Sequence, residues 1–313
     1  MAMGTPSYSN LRLLTDFLYL ISGVTCAYFE YCYRFFVKPQ MKTLSQEIIL
    51  VTGAGTGLGK AMCVYLAQSS PKATLVCWDI NGPENEVTVK TLHCMGVQAF
   101  GYEIDICEPA AVVKCADQVK KDVGDVTVII NNAGFLHRTE PFLNLSPVEI
   151  EKSINVNFTS QCWILRQFLP QMVAKNSGHV VTINSCQGKT GCNNFSLFSA
   201  SNSAVNGLIH SLKSEMRRES ANNINFTTVF AGFLNTNMVS NKNICFRYPS
   251  FQPRILEPDE AAMEIVDAFR RNEEYVFVPK RTSECLSLLS HLLPPKAKAV
   301  INDIFGVQSV NIS

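Results

Sequence analysis

Short apolar runs alternate with longer helical segments from Glu47 onward, and this alternation restricts the chain to a few folds. The first run is "EIILV", and most of the runs stand twenty or more residues apart. That spacing leaves room for the crossover helix that joins two parallel strands. The further runs are Ala73–Trp78, Ala99–Ile104, Val126–Ile130, His179–Ile183, Phe226–Phe230 and Tyr275–Pro279. We predict an α/β fold, a doubly wound parallel sheet with helices on both faces, in a single domain.

The N-terminal segment differs from the rest of the chain. Phe17–Phe29 is a run of thirteen residues without a charge, and apolar character continues to Val37. A helix that crosses a bilayer needs about 20 apolar residues. Aromatic residues typical of a membrane interface occur at Tyr19, Tyr28, Tyr31 and Tyr33. We predict a hydrophobic membrane-associated segment over residues 1–38, followed by a Rossmann-type domain over 39–313; a soluble helix that covers the core is the alternative.

The charge balance and the cysteines exclude several classes of protein. The chain has 27 basic and 26 acidic residues, so its net charge is only +1. A nucleic-acid-binding surface needs an excess of Lys and Arg, and we predict no nucleic-acid partner. The 12 cysteines include no Cys-x-x-Cys pair, and the histidines are scattered without metal-ligand spacing. We therefore predict reduced thiols that face the cytosol and no metal site.

A glycine-rich loop follows the first strand directly and opens a helical segment. Its sequence has the pattern T-G-x-x-x-G-x-G. Glycines let the backbone turn tightly and approach a pyrophosphate, and the helix N-terminus supplies free N–H groups. The loop therefore predicts a dinucleotide site that includes Thr52, Gly53, Gly57, Leu58 and Gly59.

An acidic residue, Asp79, ends the second strand twenty residues after Gly59. A carboxylate at this place accepts hydrogen bonds from a ribose diol and repels a phosphate on the same ribose. The loop from Gly53 to Gly59 contains no Lys or Arg that would attract that phosphate. Both features favour NAD(H) over NADP(H). The alternative is that Asp79 only begins the turn at "NGPEN".

The glycine pattern, Asp79 and the sequence "NNAG" at Asn131–Gly134 together resemble the short-chain dehydrogenase/reductase family, over about Glu47–Pro279. The stretch "ADQVKKDVGDVTVIINNAG" and the apolar N-terminus resemble its membrane- and lipid-droplet-associated retinol and hydroxysteroid dehydrogenases. This resemblance implies a lipophilic alcohol or ketone as substrate, a homodimer, and a location at the endoplasmic reticulum membrane or a lipid droplet. It also implies that the cofactor is bound by Asp105, Ile106, Asn132, Ala133, Gly134, Asn202, Gly232 and Thr236.

The proton-transfer residues of the family are only partly present. In the family, a Tyr exchanges the substrate proton, a Lys four residues later lowers the pKa of that Tyr, a Ser polarises the substrate oxygen, and an Asn holds a water. Ser185 and Asn157 match the last two. Phe198 and Asn202 stand where Tyr and Lys are expected. The register follows from the surrounding residues Ala200, Ser201, Ala204 and Gly207.

Phe198 cannot exchange a proton, and Asn202 carries no charge that would lower a pKa. General acid–base catalysis contributes roughly 10²–10⁴-fold to a rate. We predict an NAD(H)-binding protein whose oxidoreductase activity is weak or lost. The alternative is an active oxidoreductase on a retinol, steroid or fatty alcohol, with a proton route through Ser185 and a water held by Asn157, or through Lys189. A degenerate copy with little function is the third reading.

Two further segments carry expectations. "FAGFLNTNM" has Ala231 where the family has Pro, and the resemblance implies that Thr236 contacts the nicotinamide carboxamide. Loss of the Pro relaxes the turn without removing a binding group. The segment Cys285–Pro295 is apolar, and it is a pocket lid, a second membrane contact or part of the core.

Overall fold

A computed structural model of the chain describes residues 10–37, 39–219, 221–240, 245–246, 248, 250, 252–280, 293–305 and 307–308. The chain divides into two compact units, Met1–Met41 and Lys42–Ser313. The predicted division into residues 1–38 and 39–313 stays a prediction. Residues 285–292 of the apolar segment before Pro295 lie outside the described residues.

The described residues of the first unit form the helix α1, over Asn10–Phe36. Its stretch Leu11–Glu30 is long and apolar enough, by length and composition, to cross a membrane. Twenty helical residues extend over about 30 Å, the thickness of the hydrocarbon core. None of this stretch is buried, and Tyr19 is 82% exposed. The apolar N-terminal segment is thus helical, and its association with a membrane stays a prediction.

The second unit is built on a seven-stranded parallel sheet with the order β3-β2-β1-β4-β5-β6-β8. A two-stranded antiparallel ribbon pairs β7 with β9. The predicted doubly wound sheet is confirmed, with strand ends one or two residues from the predicted ones. The strands are β1 Ile48–Thr52, β2 Thr74–Asp79, β3 Gln98–Glu103, β4 Val128–Asn131, β5 Gly178–Ser185, β6 Ile224–Ala231, β7 Cys245–Phe246, β8 Tyr275–Val278 and β9 Val307–Gln308.

Helices cover both faces of this sheet, because its central strands are apolar on both sides. In β1, Val51 joins one core cluster and Leu50 joins the other. The first cluster includes residues of α2, α3 and α10, and the second includes residues of α4, α6 and α8. The helices are α2 Gly57–Ser69, α3 Gly82–Cys94, α4 Pro109–Asp122, α5 Pro147–Ile154, α6 Ser160–Lys175, α7 Gln187–Thr190, α8 Ser196–Arg218, α9 Asn237–Ser240, α10 Pro258–Arg270 and α11 Pro295–Phe305.

The strand order reverses between β1 and β4, which lie side by side in the sheet. Strands β2 and β3 extend to one side of this pair, and β5, β6 and β8 extend to the other. Connections from neighbouring strands leave in opposite directions at such a point, and a crevice opens at the carboxyl ends of the strands. The topology therefore directs a ligand to the edge where Thr52 and Asn131 end their strands.

Candidate functional site: a cleft at the carboxyl edge of the sheet

A cavity of about 440 Å³ lies along the carboxyl edge of the sheet. Its wall combines strand ends, the loops that follow them and the first turns of the next helices. Of the predicted site residues, Thr52 and Gly59 are not among those that line the cavity. The predicted residues that line the cavity are Gly53, Gly57, Leu58, Asp79, Asp105, Ile106, Asn132, Ala133, Gly134, Asn157, Ser185, Phe198, Asn202, Gly232 and Thr236.

The glycine turn has the conformation that a close backbone approach requires. Gly53 and Gly57 have φ values of +67° and +53°, which disfavour any residue with a Cβ. A Cβ on Gly59 would collide with the carbonyl oxygen of Gly53. The N-cap of α2, Thr56, makes no capping hydrogen bond through its side chain. The turn therefore presents backbone N–H groups at a helix N-terminus, which is the arrangement that binds a pyrophosphate.

Two carboxylates occupy the end of the cavity formed by β2 and β3. Asp79 accepts a hydrogen bond from the N–H of Gly55 at 2.8 Å through Oδ2 and from the N–H of Asn81 at 2.8 Å through Oδ1. Asp105 accepts from the N–H of Cys107 at 2.9 Å. These backbone bonds fix the direction of each carboxylate, and the oxygens keep further lone pairs for a ribose or an adenine.

The "NNAG" loop is anchored to the end of β1 by Thr52. Its Oγ1 accepts hydrogen bonds from the N–H groups of Asn132 and Ala133, both at 3.0 Å. The side-chain Nδ2 of Asn132 donates to the carbonyl of Thr52 at 2.9 Å. These bonds join the two strands that flank the reversal of strand order. Thr52 therefore does not line the cavity but fixes the position of the "NNAG" loop, which does.

The end of the cavity near Phe198 is aromatic. The ring centroids of Phe195 and Phe198 are 6.4 Å apart, and the ring centroid of Phe233 lies 6.4 Å from that of Phe195. Phe195 and Leu136 form the buried centre of this group, and Phe198 and Phe233 pack against it. We call Leu136, Phe195, Phe198 and Phe233 the aromatic wall. Its surface suits an apolar ligand.

Asn202 is buried and is engaged by its neighbours on β5 and α8. Its Oδ1 accepts from the N–H of Ser185 at 3.0 Å, and its Nδ2 donates to the carbonyl of Phe198 at 2.7 Å. Its own carbonyl accepts from Nδ2 of Asn184 at 2.9 Å. Asn202 thus ties the helix that carries Phe198 to the end of the strand that carries Ser185. A side chain in this position serves a structural purpose.

Asn157 lies in a short π-helical turn, Asn155–Thr159, between α5 and α6. Its Oδ1 accepts from the N–H of Phe135 at 2.7 Å. Its Nδ2 donates to the carbonyl of Phe135 at 2.9 Å and to Oγ of Ser201 at 3.1 Å. The carbonyl of Asn157 accepts from Nε2 of Gln161 at 2.9 Å. Local π-helical turns often mark functional sites, and this one clamps the loop after β4.

Ser185 ends β5 and meets a residue that sequence reasoning missed. Its hydroxyl donates a hydrogen bond to Oε1 of Gln187, and the N–H of Gln187 lies 3.3 Å from Ser185 Oγ. Gln187 also lines the cavity. The available signal was a long polar side chain two residues after a serine at a strand end, in a turn that must fold back towards that serine.

Two residues of the surrounding loops are more buried than is usual for a loop at the protein surface. The ammonium of Lys189 lies over the rings of Phe230 at 4.3 Å and Phe277 at 5.0 Å, and burial lowers its pKa. Lys189 is not among the described residues that line the cavity. His137, in the loop after β4, is buried, with Nδ1 bonded to the carbonyl of Arg138.

Residues 47–244 match the short chain dehydrogenase family, and the chain belongs to that family. Among its relatives is the epidermal retinol dehydrogenase 2 of Homo sapiens, which is 36% identical over 271 residues, 86% of this chain and 85% of the relative. The 17-beta-hydroxysteroid dehydrogenase 13 of Homo sapiens is 30% identical over 298 residues, 95% of this chain and 96% of the relative. The chain is therefore related to the retinol and hydroxysteroid dehydrogenases of the family.

Solved structures share the fold. A short chain dehydrogenase/reductase from Burkholderia phymatum in complex with NAD superimposes with a TM-score of 0.71 at 20% identity, over 86% of this chain and 100% of that chain. A short-chain dehydrogenase from Sphingobium yanoikuyae in complex with NADPH has a TM-score of 0.68 at 21% identity, over 85% and 100% of the two chains. At these identities the likeness establishes the fold.

Proposed function

We propose that this chain binds NAD(H) in the cavity and has weak or lost oxidoreductase activity. The observation that carries the proposal is the contrast between a glycine turn shaped for a pyrophosphate and a hydrocarbon ring, Phe198, where the family pattern expects a phenol. A bound nicotinamide would supply the hydride acceptor or donor. The residues of this chain would then have to bind and orient the cofactor and the ligand, and to exchange the proton.

The binding role rests on the glycine turn and on Thr236. A Cβ on Gly57 would lie 3.3 Å from Cγ2 of Thr236, so Thr236 lies against the glycine turn in the cavity wall. The turn would hold the pyrophosphate through backbone N–H groups, and Thr236 would contact the nicotinamide end. Asp105, Ile106 and the "NNAG" loop would enclose the adenine side of the cofactor.

The preference for NAD(H) rests on charge. Asp79 lines the cavity with its carboxylate fixed by two backbone N–H groups. Of the described residues that line the cavity, Lys152 alone is cationic, and its ammonium lies 4.7 Å from the ring centre of Phe135. A phosphate on the ribose would meet a carboxylate without a cation beside it. NAD(H) avoids that repulsion.

The loss of turnover rests on the absence of a proton donor near Ser185. The described lining contains no Tyr and no His. Cys107 lines the far end, and burial together with the nearby Asp105 carboxylate raises the pKa of its thiol to about 11. Asn202 is neutral and is held by Ser185 and Phe198. The described lining therefore offers no phenol or imidazole that could take the proton of an alcohol beside Ser185.

The membrane role rests on α1 and on the relatives. The apolar, exposed stretch Leu11–Glu30 would anchor the chain to the endoplasmic reticulum membrane or to a lipid droplet, with the Rossmann domain in the cytosol. The relatives named for retinol and hydroxysteroid dehydrogenation support a lipophilic small molecule as the ligand. The aromatic wall suits such a ligand, and the chain would act as a homodimer.

The test compares the natural chain with the double variant Phe198→Tyr, Asn202→Lys. NADH and NADPH binding would be measured by titration of nicotinamide fluorescence, and turnover by NADH production with retinol, steroid and fatty-alcohol substrates. We expect tighter binding of NADH than of NADPH, no turnover by the natural chain and a gain of turnover in the double variant. Alcohol-dependent NADH production by the natural chain would refute the loss of activity.

The second candidate is an active oxidoreductase that uses Ser185. Its support is that Ser185 lines the cavity beside the aromatic wall. In that case Ser185→Ala would abolish a measurable activity of the natural chain. Lys189 is a poor partner for this route because its ammonium lies over Phe230 and Phe277.

A further inference from the structure

Three aromatic rings are stacked at the edge of the sheet that β6 and β8 form. Phe230 and Phe277 are partners in the register of these strands, and their ring centroids are 5.1 Å apart at an angle of 24°. The ring centroid of Tyr275, which faces the same side of β8 as Phe277, lies 6.3 Å from that of Phe230. We call Phe230, Tyr275 and Phe277 the ring ladder. Its ring faces carry the negative charge density that attracts a cation.

Two lysines lie on the ring ladder, and they differ in their other partners. The ammonium of Lys213, on α8, lies 5.3 Å from the ring centre of Tyr275 and also forms an ion pair with Glu274. The ammonium of Lys189, on α7, lies between 4.3 and 5.7 Å from the centres of all three rings. In the described part of the chain, no carboxylate forms an ion pair with Lys189, and burial lowers the pKa of its ammonium. The rings are therefore the groups that stabilise this charge.

The short helix α7 connects Lys189 to the cavity. Ser185 and Gln187, at the end of β5 and the start of α7, line the cavity, whereas Lys189 is not among the described residues of the lining. The N–H of Lys189 donates to the carbonyl of Cys186 at 3.0 Å, and the N–H of Gly191 donates to the carbonyl of Gln187 at 2.9 Å. A helix of four residues has little stability of its own. Contacts with the rest of the domain therefore decide where Ser185 and Gln187 are held.

Backbone atoms of this segment are bonded to β6 and to α8. The N–H of Cys186 donates to the carbonyl of Ala231 at 3.0 Å, and Oγ of Ser203 donates to the carbonyl of Gly188 at 2.6 Å. The side chain of Lys189 adds the contact with the edge strand β8, through Tyr275 and Phe277. This contact depends on the charge of the side chain, so a substitution at residue 189 can remove it while the backbone bonds stay in place.

We propose that Lys189 is a positioning residue for the ligand end of the cavity and acts through the ring ladder and α7. Its cation–π contact holds Ser185 and Gln187 in the place where a lipophilic ligand meets them. The inference rests on the proposed function, because the ligand is the lipophilic molecule that binds beside NAD(H). The glycine turn belongs to β1 and α2 and does not include α7. Removal of the charge should therefore weaken ligand binding and leave NADH binding unchanged.

The experiment compares Lys189→Met, which removes the charge and keeps an unbranched side chain, with Lys189→Arg, which keeps the charge. The matched control is Lys213→Met, which removes the other ammonium on the ring ladder. Two quantities are measured on the full chain in detergent with saturating NADH: hydrogen exchange of peptides that cover residues 185–191, by mass spectrometry, and equilibrium binding of tritium-labelled all-trans-retinol. We expect Lys189→Met to exchange about fivefold faster in this segment and to bind retinol about fivefold more weakly, which is the effect of one cation–π contact.

Lys189→Arg and Lys213→Met should match the natural chain in both measurements, and exchange in β1 and β4 should be the same in all four proteins. Unchanged exchange in Lys189→Met, an equal effect of Lys213→Met, or no recovery in Lys189→Arg overturns the proposal. Faster exchange without a loss of retinol affinity also overturns it. A natural chain that binds NADH but no retinol lacks the lipophilic ligand, and the proposal falls with it. Loss of NADH binding by the natural chain would refute the cofactor site instead, and exchange without NADH still tests the contact of Lys189.

Discussion

The glycine turn and the aromatic end of the cavity are both built from strand ends, yet they depend on different kinds of atoms. At the glycine turn, backbone N–H groups and the absence of Cβ atoms define the site, from Gly53 to Gly59. At the aromatic end, side chains define it, through Phe198, Asn202 and Gln187. A backbone site tolerates almost no substitution without losing its shape. A side-chain site can change its chemistry while the fold stays intact.

This difference would explain how the proposed cofactor pocket could be kept while the proposed loss of the proton route took place. Replacing a phenol by a phenyl ring alters one atom at the surface of α8. The amide of Asn202 satisfies the N–H of Ser185 and the carbonyl of Phe198, so the helix and the strand end remain joined. The loss of chemistry would therefore leave the packing of the domain largely unchanged.

The sharpest test of the comparison is a Cβ in the glycine turn. Gly59→Ala places a methyl group against the carbonyl oxygen of Gly53, so the turn must open. We expect NADH affinity to fall by at least about 100-fold, which is about 2.7 kcal/mol. Titration of NADH fluorescence measures the loss.

The matched control is Gly207→Ala on α8, where an added Cβ meets nothing within 4 Å. Alanine in a helix interior is favoured over glycine by roughly 0.5–1 kcal/mol, so this variant should bind NADH normally and unfold at slightly higher urea. Equal NADH affinity in the two variants would mean that the glycine turn is not the cofactor site.

A second test asks how far the aromatic end depends on side-chain packing. Asn202→Lys removes one of the two acceptors of the Ser185 N–H, the other being Oδ1 of Asn184, and places an ammonium in a position that is 7% exposed. We expect the free energy of unfolding to fall by about 2 kcal/mol. Phe198→Tyr, which adds a hydroxyl to a ring at the cavity surface, should change it by less than about 0.5 kcal/mol.

Urea unfolding monitored by circular dichroism would measure both single variants of the aromatic end. A stable Asn202→Lys protein would show that Asn202 does not join α8 to β5. The result also decides how the double variant is interpreted. If Asn202→Lys is destabilising, a silent double variant has to be shown to be folded before its inactivity says anything about the ligand.

The smallest expected effect is a change of the free energy of unfolding with pH, and it comes from the amino end of β5, at the opposite end of the strand from Ser185. His179 is buried, with Nδ1 at 2.8 Å from the ammonium of Lys42 and Nε2 at 2.9 Å from Oγ1 of Thr227. Burial, and next the charge of Lys42, lower the pKa of His179 well below its usual value. The unfolded chain binds a proton at His179 near pH 6.5, whereas the folded chain stays neutral there.

The unfolded state of this chain therefore binds more protons below about pH 6.5, and the free energy of unfolding declines as the pH falls. We expect the contribution of His179 to be complete above pH 6.5 and to decline by at most about 1.4 kcal/mol per pH unit below it. Urea unfolding between pH 7.5 and pH 5 measures this slope, and His179→Gln should reduce it. An identical slope in both proteins would exclude His179 as its source.

Much of the fold could be predicted because local patterns encode it. The apolar runs predicted every strand of the seven-stranded sheet to within a residue or two. The residues "TGAGTGLG" predicted a turn that opens a helix, because only glycine adopts the positive φ of Gly53 and Gly57 at low cost. The proximity of the predicted site residues followed from the parallel topology, which brings the carboxyl ends of strands to one edge.

The remaining features depended on partners that are distant in the chain. The sequence alone determined that Phe198 lacks a hydroxyl and that Asn202 lacks a charge, because these are properties of the residues themselves. Only the tertiary structure decided that Asn202 bonds Ser185, that Lys189 lies over Phe230 and that Gln187 meets the Ser185 hydroxyl. Hydrogen bonds and ring contacts act over a few ångströms, and the packing of α7 and α8 against β5, β6 and β8 decides which groups come that close.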